Sequence, residues 1–138
     1  MSDKWRWAWG TMSLSPPTLQ KHYFMCDIDG EIEEPLAPDE LCFKTPHGYH
    51  IYNFDVELTL NDLVEQLKLR KADATYTHLT KKRGFATLEF RSMEERFYVS
   101  RHPICFLKFQ RYIGGDKGRE SQSTRGKDGK LEMIEAIS

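Results

Sequence analysis

The sequence predicts an α+β domain: a mostly antiparallel sheet with one or two packed helices and a disordered C-terminal tail. Three observations carry that prediction. Short runs of aromatic and β-branched residues recur between turn signals. Residues 59–70 repeat their apolar side chains at helical spacing. After Ile113 the chain turns to glycine, serine and charge with little to bury. At 138 residues it is long enough for one domain with a moderate core. That domain is placed at 1–113, and 114–138 is expected to be a flexible polar tail.

The first expected strand lies in Trp5-Arg6-Trp7-Ala8-Trp9, where alternation gives one aromatic face, suited to core packing or to base stacking. Pro16-Pro17 forces extended backbone and marks a connection. A buried strand follows at about 21–28, then an acidic loop punctuated by Pro35 and Pro38. Residues 40–44 and 48–54 read as a hairpin around Thr45-Pro46-His47-Gly48. In the helix over 59–70, Leu60, Leu63, Val64 and Leu67 form the apolar stripe, and Thr59 with Asp62 resembles a capping box. Asp73 to Thr80 suits a short strand or a helical turn. Gly84–Phe90, Arg96–Val99 and Ile104–Leu107 read as β-favouring runs, the last two split by Pro103. Residues 114–130 are expected to be disordered, and the last residues a frayed end or short helix.

Composition excludes several classes. A net charge of -1 gives no global basic field, so a nucleic-acid role must rest on local charge. Cys26, Cys42 and Cys105 lack paired spacing and sit in apolar surroundings, so they read as reduced core residues rather than a zinc site or disulfide framework. No apolar run approaches the ~18–20 residues of a membrane span, and the N-terminus lacks a signal-peptide segment. A soluble, cytoplasmic protein is expected, without a membrane partner.

The chemistry concentrates in Tyr23-Phe24-Met25-Cys26-Asp27-Ile28-Asp29-Gly30. Strand side chains alternate, so Asp27 and Asp29 share a face, roughly 6–7 Å apart. Two carboxylates that close repel unless a cation lies between them, and hard ions such as Mg²⁺ or Mn²⁺ accept that arrangement while substrate phosphates supply further oxygens. Asp and Gly at a strand end are equally ordinary turn chemistry. In Thr45-Pro46-His47-Gly48-Tyr49-His50-Ile51-Tyr52, His50 falls inside a strand, where imidazole can meet a phosphate or be satisfied within the hairpin.

Together these motifs resemble the archaeo-eukaryotic primase superfamily, over roughly residues 21–92. Asp27-Ile28-Asp29 matches its first motif and Gly48-Tyr49-His50 its second. For the third, an apolar residue followed by an acid, Asp73 in Ala72-Asp73 is favoured and Glu89 in Leu88-Glu89 is the rival. Asp73 is alternatively a helix N-cap.

The resemblance implies an RRM-like, primase-like core and a DNA primase or polymerase activity. Nucleoside triphosphates would be joined on a single-stranded DNA template with Mg²⁺ or Mn²⁺ as cofactor. Asp27, Asp29 and Asp73 would hold metal, and His50 would contact the nucleotide phosphates. Lys81, Lys82 and Arg83 would engage template or triphosphate charge, unless they form a solvated basic turn. Full catalytic modules of the superfamily carry an extra αβ unit before the first motif, and only about twenty residues precede Tyr23. A minimal or degenerate relative, working beside a helicase or other replication protein, fits that length.

Two other enzyme classes fit less well. Asp27-Ile28-Asp29-Gly30 also resembles haloacid-dehalogenase-type phosphatases, but Glu31 replaces their threonine and no later acidic pair appears. Replication-initiator nucleases need two histidines on one strand face, whereas His47 and His50 are three apart. The alternative of another class is a non-catalytic, RRM-like module that binds single strands, stacking bases on Trp5, Trp7, Trp9, Tyr49 and Tyr52.

Overall fold

A computed structural model describes residues 5–112 and 131–136. Trp5–Met12 forms β1, and its alternation of large and small residues lets it sit in the middle of a sheet. It pairs antiparallel with Cys105–Tyr112 (β6) from Trp5↔Tyr112 to Met12↔Cys105, and with the short strand Thr87–Glu89 (β5) through Gly10↔Glu89. Leu131–Ala136 (β7) completes this sheet on the far side of β6, giving the order β5-β1-β6-β7. The sequence expected a frayed end or short helix there. That segment forms a strand instead, pairing with β6 from Phe109↔Leu131 to Cys105↔Ala136. The tail expected at 114–130 lies outside the described residues.

The second sheet holds the candidate site. His22–Asp29 (β2), Leu41–Lys44 (β3) and Gly48–Leu58 (β4) pair antiparallel in the order β2-β4-β3. The hairpin predicted around Thr45–Gly48 forms, with Thr45 N–H donating to the Gly48 carbonyl. Ser13 joins the two sheets. Its hydroxyl oxygen accepts from Ala86 N–H and lies 2.7 Å from His22 Nδ1. Burial lowers the His22 pKa, which suits a neutral ring accepting the serine hydrogen.

Among the described residues three helices cover these sheets, one more than the upper expectation. Leu60–Leu69 (α1) is the helix predicted from periodicity, and Thr59 caps it by accepting from Asp62 N–H. Ala74–Arg83 (α2) resolves the ambiguous Asp73 segment as a helix, capped by Asp73 and ended by Gly84 at φ 95. Met93–Val99 (α3) overturns the β reading of Arg96–Val99. Ser92 caps α3 through Glu95 N–H, and Glu94 and Glu95 occupy the first turn, where the helix dipole favours acids. Burial of Glu95 and Val99, one turn apart, then outweighs the β preference of exposed Phe97 and Tyr98.

α1 covers the face of β2 that carries Phe24, over whose ring Arg70 lies. Arg70 also makes a two-pronged ion pair with Glu40, at 2.6 and 2.9 Å. α3 covers the opposite face, against Tyr52 and His50. Leu63, Leu67, Ile51, Met25 and Val99 anchor the shared core. Leu67 is fully buried there. Leu67→Ala should cost about 3 kcal/mol by denaturant unfolding, the usual cost of a buried cavity. A loss under about 1 kcal/mol would mean that α1 does not seat as described. No helix among the described residues is long and apolar enough to cross a membrane.

Candidate functional site

The pairing of β2 with β4 sets Asp27 opposite His50 and Asp29 opposite Gly48. The backbone carbonyls of Met25 and Asp27 point away from β4. They accept instead from the Tyr76 hydroxyl at 3.1 Å and from Asp73 N–H at 2.9 Å. Asp27 and His50 therefore form a narrow, non-hydrogen-bonded pair, the type that brings facing side chains closest. His50 Nε2 lies 3.8 Å from Asp27 Oδ1, an ion-pair separation too long for a hydrogen bond. Asp27 and His50 thus share a face, as the predicted site requires. Asp29 follows on that face, exposed, just before Gly30 turns the chain at φ 100.

Behind His50 stands a residue the sequence reading did not name. Glu95 is fully buried, and its carboxylate meets His50, Tyr52 and the Arg91 backbone N–H. Oε2 lies 2.7 Å from His50 Nδ1 and takes the Tyr52 hydroxyl hydrogen, while Oε1 accepts from Arg91 N–H at 2.7 Å. Ser92-Met93-Glu94-Glu95 has capping-box spacing, so a helix start was legible there. The destination of the Glu95 carboxylate was not, because its partners lie some forty residues away in β4.

Electrostatics single out Asp27. Burial pushes its pKa up, the nearby His50 pulls it back, Asp73 and Asp29 raise it further, and Arg91 lowers it. Like charges therefore already crowd this carboxylate, and Arg91 is a cation the motif reading missed. Burial and the Glu95 charge hold the Tyr52 hydroxyl well above its ordinary value, so it remains a donor.

The other predicted residues divide. The Asp73 backbone is bonded to Asp27, but its carboxylate oxygen Oδ2 accepts from Tyr76 N–H at 3.0 Å, so the N-cap alternative is realised. Glu89 lies on β5 in the other sheet. Leu88 packs into the core, and strand alternation sets Glu89 on the other face of β5. Lys81, Lys82 and Arg83 occupy the last turn of α2, about 12–15 Å along the helix axis from Asp73. Lys81 and Lys82 are exposed, whereas Arg83 is half-buried and its pKa is lowered by burial.

Among the described residues no three His, Cys, Asp or Glu side chains converge closely enough to hold a metal ion by themselves. The predicted Asp27–Asp29–Asp73 cage is therefore not preformed. What is present fits a hard divalent ion in a different way. Mg²⁺ commonly takes one or two carboxylates and completes its shell with water and substrate phosphate. Asp27 and Asp29 offer hard oxygens on one face, and the Asp27 side chain keeps 39% of its surface accessible.

The aromatic candidates also divide. Tyr52 is fully buried and is removed as a stacking surface, while Tyr49 is half-buried with Lys44 Nζ 4.9 Å from its ring. Trp7 is exposed, with Lys108 Nζ 4.3 Å from its ring, and Trp9 lies beneath Arg96. Both tryptophans belong to the other sheet. The Trp5 side chain lies outside the described residues. Comparison with known proteins finds no matching family model, no matching curated protein and no matching solved structure.

Proposed function

We propose that this chain is a primase-like nucleotidyltransferase domain, with a primase-like core, that joins nucleotides on a single-stranded DNA template. The observation that carries the reading is the facing pair of Asp27 and His50, with Asp29 two residues along the same face. Asp27 and Asp29 would hold the ion, and Asp73, whose backbone is bonded to Asp27, brings a further carboxylate. A bound Mg²⁺ or Mn²⁺ supplies charge neutralisation at the triphosphate and activation of a 3′-hydroxyl. His50 presents Nε2 to the nucleotide phosphates, and Arg91 adds a positive charge close by. Lys81 and Lys82 are exposed, and they lie far enough along α2 to meet template phosphates rather than the reacting group. No protein nucleophile is needed, because this chemistry rests on positioning and charge.

The test is primer synthesis and extension on single-stranded DNA with Mn²⁺ and nucleotides. Incorporation that disappears with EDTA is the expected result. An inert wild-type protein across ribo- and deoxyribonucleotides would sink the proposal.

One observation favours the alternative, a non-catalytic single-strand-binding module: exposed Trp7, Phe97 and Tyr98 each carry a cation over the ring. Such a surface stacks bases without metal. Oligonucleotide binding that is unchanged in EDTA, with no incorporation, would select it.

A further inference from the structure

We propose that Glu95 is the positioning residue for His50: its carboxylate receives the Nδ1 hydrogen and turns the Nε2 edge of the ring toward Asp27, so that a ring meeting phosphate carries hydrogens on both nitrogens. The inference rests on the nucleotidyltransferase reading for what His50 does, though not for how the ring is held.

The hydrogen bonds leave little choice. A backbone N–H can only donate, so Glu95 Oε1 is an acceptor for Arg91. The Tyr52 hydroxyl has one hydrogen, and Glu95 Oε2 is its partner. The same oxygen lies 2.7 Å from His50 Nδ1. A carboxylate already accepting two hydrogens suits a third donor, so Nδ1 carries the hydrogen. Burial holds the ring in place, since His50 is 5% exposed and Glu95 0%. The only part of the imidazole left for a ligand is then Nε2, 3.8 Å from Asp27 Oδ1. A histidine oriented this way by a carboxylate is a recurring device where the far nitrogen must meet a ligand in one geometry.

A plain structural brace between α3 and β4 would use the same three bonds. Glu95→Gln separates the two roles. The amide oxygen can keep one donor, but the NH₂ can only donate, so facing Nδ1 it drives the ring hydrogen to Nε2. A brace survives that exchange, whereas a positioned ring does not.

The experiment records long-range ¹⁵N–¹H spectra of the full chain, at a pH where the rings are neutral. The His50 signals are identified by their loss in His50→Gln. The wild-type ring is expected to carry its hydrogen on Nδ1, and a hydrogen on Nε2 would overturn the proposal without any Glu95 variant. Glu95→Gln is expected to move the hydrogen to Nε2 while the backbone amide spectrum stays folded. Its kcat/KM for nucleotide incorporation should fall on the order of 10–100-fold, because a ring whose Nδ1 faces an amide NH₂ cannot carry hydrogens on both nitrogens and loses the charge that meets the phosphates. An unmoved hydrogen, or a moved hydrogen with unchanged kcat/KM, overturns the positioning role. Tyr52→Phe removes the competing donor on Oε2 and should leave the hydrogen on Nδ1, so it serves if Glu95→Gln does not fold. An inert wild type would sink the nucleotidyltransferase reading, and the ring spectra would still decide how His50 is held.

Discussion

Asp27→Asn is expected to melt at a higher temperature than the wild type at neutral pH, and to lose nucleotide incorporation and Mn²⁺ binding. Both effects come from the same environment. Burial is the largest influence on Asp27 and acts against its charge, Asp73 and Asp29 add to that, and His50 and Arg91 only partly offset them. The folded protein therefore binds a proton at Asp27 more readily than the unfolded chain does. Between the ordinary aspartate range and the raised value, the folded state holds more protons, so stability falls as pH rises through that window. Asparagine removes the penalty. The stability gap between variant and wild type should be widest above the window and close as pH falls below it. Adding Mn²⁺ should raise the melting temperature of the wild type and leave Asp27→Asn unmoved, because a ligand stabilises only the state that binds it. The loss of incorporation should exceed the roughly 10–100-fold typical of an outer-shell change. Equal melting curves for the two proteins at every pH, with and without Mn²⁺, would remove the electrostatic basis of the site.

Gly48→Ala is expected to be the most damaging single-methyl change in the second sheet. Its Cβ would land on the Ile28 carbonyl oxygen and come within 2.9 Å of Gly30 N. Both obstacles are backbone, so no side chain can swing aside. β2 and β4 must separate at the end where Asp29 faces Gly48. A cost of about 3 kcal/mol is expected, the upper part of the range for overpacking. That is a large fraction of the roughly 5–15 kcal/mol that holds a domain of this size together. Denaturant unfolding measures it, and incorporation should fall further than stability, because the Asp27–His50 separation depends on the same register. A variant of wild-type stability would mean that the pairing of β2 with β4 is misplaced.

Much of this site was legible before any coordinates. The β2 run and the β3–β4 hairpin follow from local alternation and turn chemistry, which act over a few residues and leave a mark there. So did the α1 stripe, whose cap formed as Thr59 and Asp62 suggested. Asp27 and His50 were legible as candidates, but their facing depends on register, which the sequence pattern constrains and does not state. Glu95 was out of reach for a different reason. A charged residue in a short amphipathic run is ordinarily solvated, and only tertiary burial brings His50 and Tyr52 to it. The same burial made Arg96–Val99 a helix against the preference of its aromatics. Asp73 shows a local signal at work: Oδ2 accepts from Tyr76 N–H, the capping role that its place before a helix offers.

The helix that follows Asp73 also settles how β2 meets the outside world. β2 is the border strand of its sheet, and Tyr23–Ile28 is the kind of apolar segment that recruits a neighbouring chain when its carbonyls are bare. Two of those carbonyls, on Met25 and Asp27, are taken by Tyr76 and Asp73. The opposite border is β3, only four residues long and ending in Lys44. Intermolecular strand addition, the common route from such a sheet to fibres, is thereby discouraged on both flanks, and on the β2 side by a helix start whose Asp73 also raises the pKa of Asp27.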